Sequence, residues 1–228
     1  MFIVHKTLPL VWPNWWNNQK QLVVLSIDPG AVNFCIRLSE HDTSTGFSKT
    51  IRMFKTNIND RLHLKKTTVS NNTVIVSTDE NIPKQHTDKY WAYPFNYANP
   101  TCIRLHSVFQ SLKEIIPDII LIESQLSRNR KMTIIQSYCI AFCILYFPSS
   151  LLIEVSSKLK STVFALKCTC KEKCKNSKHL ATVNAKKIME LHNDKTALEL
   201  LSKKGKINDF ADVIVQAEAW LKYVDLIN

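Results

Sequence analysis

Four acidic residues stand where a fold can gather them. Asp28 ends one short apolar run, Glu123 ends another, and Asp209 and Asp212 open the last helical stretch. Residues spaced i and i+3 project from one face of a helix, so Asp209 and Asp212 point the same way. Each position has a plain structural reading on its own, because first-turn acids cap helices and complement their dipoles and strand-end acids are common in turns. Together they make an all-oxygen donor set of the kind hard cations take. Mg²⁺ prefers octahedral oxygen coordination and keeps water and substrate phosphate in its shell. Two such ions about 4 Å apart can activate a water against a phosphodiester and stabilise the leaving oxygen. Without cations, carboxylates crowded in this way repel one another.

The elements that must position these groups are legible from patterning. Leu22 to Asp28 (LVVLSID) and Asp118 to Glu123 (DIILIE) have the continuous apolar character of central, buried strands. Acids at their ends face the crevice where open α/β sheets bind ligands. Val32 to Leu38 is expected to return antiparallel to the first strand, after Pro29 and Gly30. Phe47 to Phe54, Val69 to Ser77 and Leu151 to Val155 are further predicted strands. Helices are expected from Thr101 to Ile116 (stopped by Pro117), Met132 to Phe147, Lys158 to Leu166, Leu180 to His192 and Asp209 to Tyr223, with a loop from Asn81 to Pro100. Strands first, then alternating helices and strands, predict an α/β fold with a mixed sheet flanked by helices.

The bulk composition agrees with such a fold and narrows the partners. With 228 residues, 45% of them hydrophobic, the chain is long enough for one well-buried domain. Thirty Lys and Arg against 19 Asp and Glu give a formal charge of +11, a field suited to a polyanion. Only three glycines occur, which excludes a glycine-rich phosphate loop. Seven cysteines are an odd number, and Cys35, Cys102, Cys139 and Cys143 lie in apolar segments, as buried free thiols of a reducing compartment would. With no membrane-spanning stretch and no secretory leader, an intracellular, soluble protein is expected.

SIDPGAVNFCIRL (Ser26 to Leu38), LIESQLSRNRKM (Leu121 to Met132) and KKGKINDFADVIVQA (Lys203 to Ala217) resemble the successive motifs of RuvC-type Holliday junction resolvases, most closely the branch of poxviruses and related large DNA viruses. The likeness runs in order from Gln21 to Tyr223; the stretches between motifs are unmatched. It implies a ribonuclease-H-like fold, a homodimer, Mg²⁺ with Mn²⁺ as a substitute, and paired nicks in a four-way DNA junction inside the host cell. By motif, Asp28 is the first-strand ligand, Glu123 the second, and Asp209 and Asp212 the helical ligands. Lys187 stands near the family's basic residue that faces the scissile phosphate. On this reading residues 1–20 form an N-terminal arm and 21–228 the nuclease domain, with insertions near 55–100 and 167–180. The rival readings are a related nuclease acting on flaps or RNA–DNA hybrids, and a non-cleaving binder of branched DNA.

Other features carry weaker chemistry. Cys168, Cys170, Cys174 and His179 can close around tetrahedral Zn²⁺, or belong to a solvated basic loop. Arg128, Asn129, Arg130 and Lys131 follow Glu123 closely, and cations there oppose the helix dipole, which favours phosphate contact over capping. Lys158 and Lys160 belong to the densest basic region and are read as DNA-backbone contacts. The apolar helix from Met132 is either a core helix or a dimer helix. Trp12, Trp15 and Trp16 are expected to pack the arm.

Overall fold

A computed structural model of the chain describes residues 19–58, 95–126, 128–164, 177–203 and 207–224, with side chains of the helical residues 95–100 and 177 excepted. Five strands form one sheet in the order β3-β2-β1-β4-β5. Strands β1 (Gln21–Pro29), β2 (Phe34–Asp42) and β3 (Ser48–Thr56) are antiparallel neighbours, while β4 (Ile119–Glu123) and β5 (Leu151–Val155) add in parallel beyond β1. Strand alternation divides the side chains between two faces. Leu25, Ile27, Ile36, Leu38, Ile120 and Ile122 pack with α1 (Phe95–Gln110) and α2 (Arg130–Tyr146). On the other face, Leu22, Val24, Ile119 and Leu121 pack against α6 (Asn208–Tyr223), and Cys35 and Met53 pack against α4 (Ser177–Leu191), α5 (Lys195–Ser202) and α6. The short α3 (Leu159–Val163) follows β5 and lies against α6.

The sheet and its flanking helices match the expected class, and the boundaries differ for local reasons. Helix α1 begins at Phe95, inside the stretch expected to be a loop, so Pro100 removes one backbone donor without ending the helix. It stops at Gln110 instead of Ile116, because Leu112 and Ile115 bond back only three residues in successive tight turns. Helix α5 was not foreseen; Asp194 caps it by accepting the Ala197 N–H at 3.0 Å. Asn129, expected beside the metals, caps α2. The Val69 to Ser77 strand and the N-terminal arm lie outside the described residues, as does most of both expected insertions.

Helix α2 buries Ile135, Gln136, Cys139 and Cys143 against the sheet and α1, while Ile144 and Leu145 stay exposed. Cys35, Cys139 and Cys143 are buried free thiols and Cys102 is half-buried.

Candidate active site

Strands β1 and β4 are parallel neighbours with Ile27 opposite Ile122, so Asp28 and Glu123 leave adjacent strands one step later. Both share parity with the residues that face α6, and they therefore project toward the same helix. The backbone on either side of each acid is held. The Gly30 N–H bonds to the Asp28 carbonyl at 2.8 Å, and a Cβ at Gly30 would stand 2.7 Å from the Asn33 carbonyl oxygen, so the turn closes only around glycine. After Glu123, the Ser124 N–H donates to the Val155 carbonyl, and the buried Gln136 side chain accepts the Gln125 N–H at 2.9 Å.

Helix α6 supplies the other two acids. Its residues Val213 to Leu221 are buried on the sheet, and Gln216 donates to the Leu121 carbonyl at 3.1 Å. This seats the first turns of α6 over the strand ends. Neither Asp209 nor Asp212 caps the helix; the N-cap position is Ile207, with no side-chain cap bond. The Asp209 carboxylate meets Lys55 Nζ at 3.1 Å, and Asp212 meets Lys160 Nζ at 2.9 Å. Lys160 is shared, since the same ammonium stands 3.1 Å from Glu123. Lys55 also lies over the Phe210 ring, 5.5 Å from its centroid.

The acids sense one another. Burial, then Glu123, Asp212 and Asp209, push the Asp28 carboxyl from 3.8 up to about 7, with Lys160 opposing. Burial would lower the Lys160 ammonium, but Glu123 and Asp212 outweigh it and hold the group above its ordinary value. Among the described residues no three His, Cys, Asp or Glu side chains converge as a closed metal-binding set. The three other carboxylates lie near enough to Asp28 to act on its charge, with Lys160 between Glu123 and Asp212 and Lys55 against Asp209. An oxygen-only donor set in which burial and neighbouring carboxylates both disfavour the charge on Asp28 fits a hard divalent cation. It does not suit a soft metal.

The remaining expected site residues are distributed differently. Arg128, Arg130 and Lys131 are exposed on the loop after Glu123 and the first turn of α2; Lys158 is exposed at the start of α3. Lys160 departs from that surface and turns inward to the carboxylates, its side chain 14% exposed. Lys187 is exposed on α4 beside Glu190 and Leu191. Ala185 and Met189, two residues to either side, are buried against α6, so Lys187 is on the helix's outer face. Lys160 and Lys55 are the ammonium groups seen to meet these acids among the described residues. Cys168, Cys170 and Cys174 lie outside the described residues, and His179 is exposed on α4.

A second polar cluster, unforeseen in the sequence, fixes α6 at its far end. Arg37 on β2 is wholly buried; it donates to Thr50 Oγ1 at 2.9 Å and to Glu218 at 3.3 Å, and lies 3.7 Å from Asp194. Glu218 also accepts from Ser48 Oγ at 2.7 Å and faces His41 and His192. An arginine inside the apolar run FCIRLS was the available signal, since a buried charge needs a partner.

No protein-family model matches the chain, and no curated protein sequence matches it. Solved structures do match. Thermus thermophilus RuvC in complex with Holliday junction substrate is 12% identical, with a TM-score of 0.51 over 89% of this chain and 95% of that one. The fowlpox virus resolvase in complex with substrate Holliday junction DNA is 14% identical, with a TM-score of 0.50 over 88% and 99% of the two chains. The fold is ribonuclease-H-like. The similarity extends over nearly the full length of each matched chain.

Proposed function

We propose that this protein is a divalent-metal-dependent endonuclease that cuts four-way DNA junctions. The observation that carries the reading is the proximity of Glu123, Asp209 and Asp212 to Asp28 at one end of the sheet, where burial first and these carboxylates second push the Asp28 carboxyl up to about 7. The two solved neighbours, both seen with Holliday junction DNA, supply the substrate class. In this reading Asp28, Glu123, Asp209 and Asp212 hold Mg²⁺, or Mn²⁺ in its place. The bound cation supplies an activated water and charge compensation at the leaving oxygen.

The chain's own groups do the rest. Glu123 and Asp28 are held by strand ends and a glycine turn, so their oxygens keep one placement. Lys160 neutralises Glu123 and Asp212 until substrate arrives, and its ammonium then faces a phosphate. Arg128, Arg130, Lys131 and Lys158, exposed beside this region, bind backbone phosphates without reading sequence. Paired nicks need two such sites, so a homodimer belongs to the proposal, with Ile144 and Leu145 on α2 as apolar surface for the contact.

Cleavage of a synthetic four-way junction with Mg²⁺, mapped on all four strands, tests the reading. Symmetric paired nicks are expected, and Asp28→Asn abolishes them while binding persists. Equal cutting by Asp28→Asn overturns the assignment; preference for flaps or RNA–DNA hybrids overturns the substrate.

A further inference from the structure

The edge strand β3 carries basic side chains to both faces of the sheet. Lys55 reaches Asp209 on the α6 face. Arg52, two residues from the neighbouring Phe54, projects to the opposite face, where an open cleft of about 340 Å³ runs between β3 and α1. Among the described residues its lining includes Arg52, Arg104, Thr56, Ser107 and Ser111, and no acidic side chain. With two guanidinium groups and no carboxylate among the described lining residues, mutual repulsion is relieved by an anion.

The donors are set for one. The Arg52 guanidinium is fixed by donating to the Ser111 carbonyl at 2.8 Å and by lying over the Phe54 ring, 5.5 Å from its centroid. That leaves most of its five N–H groups unspent. Arg104 Nε is buried with no hydrogen-bond partner. The Ser107 and Ser111 hydroxyl protons are used on the Ile103 and Val108 carbonyls, so the guanidinium groups are the cleft's main donors. Planar, forked donors of this kind match phosphate oxygens.

We infer that the cleft between β3 and α1 is a phosphate-binding site, distinct from the carboxylate site and on the other face of the sheet. Its phosphate is carried by a nucleic-acid strand passing the β3 edge or by a free nucleotide. The inference does not depend on cleavage.

Binding of duplex and four-way junction DNA is measured by fluorescence anisotropy in EDTA across a salt series, for the parent chain and for Arg52→Gln/Arg104→Gln. A strand phosphate is indicated by a roughly tenfold loss of affinity and a salt slope shallower by about one to two. Arg52→Lys/Arg104→Lys should restore much of both, and matched melting temperatures exclude misfolding. In parallel, the Arg104 Nε–H resonance is followed in ¹H–¹⁵N spectra during titration with inorganic phosphate and with a nucleoside monophosphate. A saturable shift there, with DNA affinity unchanged, assigns the site to a free nucleotide. Unchanged DNA affinity and slope together with an unmoved resonance overturn the inference. A parent that binds but does not cut junctions overturns only the nuclease reading.

Discussion

Arg37 on β2 and Glu218 on α6 are separated by 181 residues of chain and meet at 3.3 Å with both side chains buried. Removing Glu218 leaves the buried Arg37 with only the more distant Asp194, 3.7 Å away, and breaking such a buried pair typically costs about 3–5 kcal/mol. Glu218→Leu is therefore expected to lower unfolding free energy by roughly 3 kcal/mol, read from the denaturant midpoint at constant slope. Arg37→Met/Glu218→Leu should recover part of the loss because both charges go together. A single variant within about 1 kcal/mol of the parent, the scale of an exposed pair, would show that the pair is not a clamp.

The same cluster sets an acid limit. Burial lowers His41 from 6.5 to about 4, against the pull of Glu218. Burial alone would raise Glu218, but His41, His192 and Arg37 outweigh it and bring the carboxyl from 4.5 to about 2. As pH falls below 6.5 the unfolded chain protonates at His41 before the folded one does, so stability drops until pH reaches about 4. Glu218 contributes stability that is complete above 4.5 and lost as pH falls toward about 2. Each shift corresponds to roughly 3 kcal/mol. In an Asp28→Asn background, which removes the opposing titration of the raised Asp28 carboxyl, melting temperature should thus decline continuously from pH 6.5 downward, and adding His41→Gln should flatten the part between 6.5 and 4. A profile unchanged by adding His41→Gln would move the acid sensitivity elsewhere.

Gly30 gives a local test of how Asp28 is aimed. A Cβ there meets backbone, the Asn33 carbonyl oxygen at 2.7 Å and its carbon at 3.0 Å, which cannot swing aside as a side chain would. Gly30→Ala should destabilise by about 1–3 kcal/mol through overpacking and displace the turn that follows Asp28. Thermal melts and junction cleavage are expected to fall together, and wild-type melting would mean that the turn adapts.

How far these residues could be read in advance follows from the range of each signal. Asp28 and Glu123 end apolar runs that themselves announce buried strands, so residue type and element came from the same few positions. Lys160 sits among other lysines, and composition gives charge without direction; only the turn into α3 sends it inward to Glu123 and Asp212. Lys187 was favoured by its place before the acidic helix, yet the burial of Ala185 and Met189 turns it outward. Arg37 was visible as a charge inside a strand, but periodicity cannot say that its partner is Glu218 on another element. Helix α5 is only eight residues long, and its start depends on the Asp194 cap, which the side chain makes only after the chain has turned.

Asp28 provides the sharpest separation of stability from function. In the metal-free protein its carboxyl titrates near 7 in the folded state against 3.8 ordinarily, because burial and the carboxylates of Glu123, Asp212 and Asp209 disfavour its charge. A raised carboxyl pKa means the folded state binds the proton longer, so stability falls as pH rises from about 4 to about 7. Asp28→Asn keeps the shape and removes the ionisation. In EDTA it should match the parent near pH 4 and exceed it at pH 8, by on the order of 2 kcal/mol after allowing for partial exposure. Saturating Mg²⁺ should narrow the gap by stabilising the parent alone, since binding to the folded state adds its own free energy. Melts at the two pH values, with EDTA and with Mg²⁺, make the check. A variant no more stable than the parent at pH 8 would mean that the four carboxylates do not strain one another, removing the electrostatic case for a cation between them.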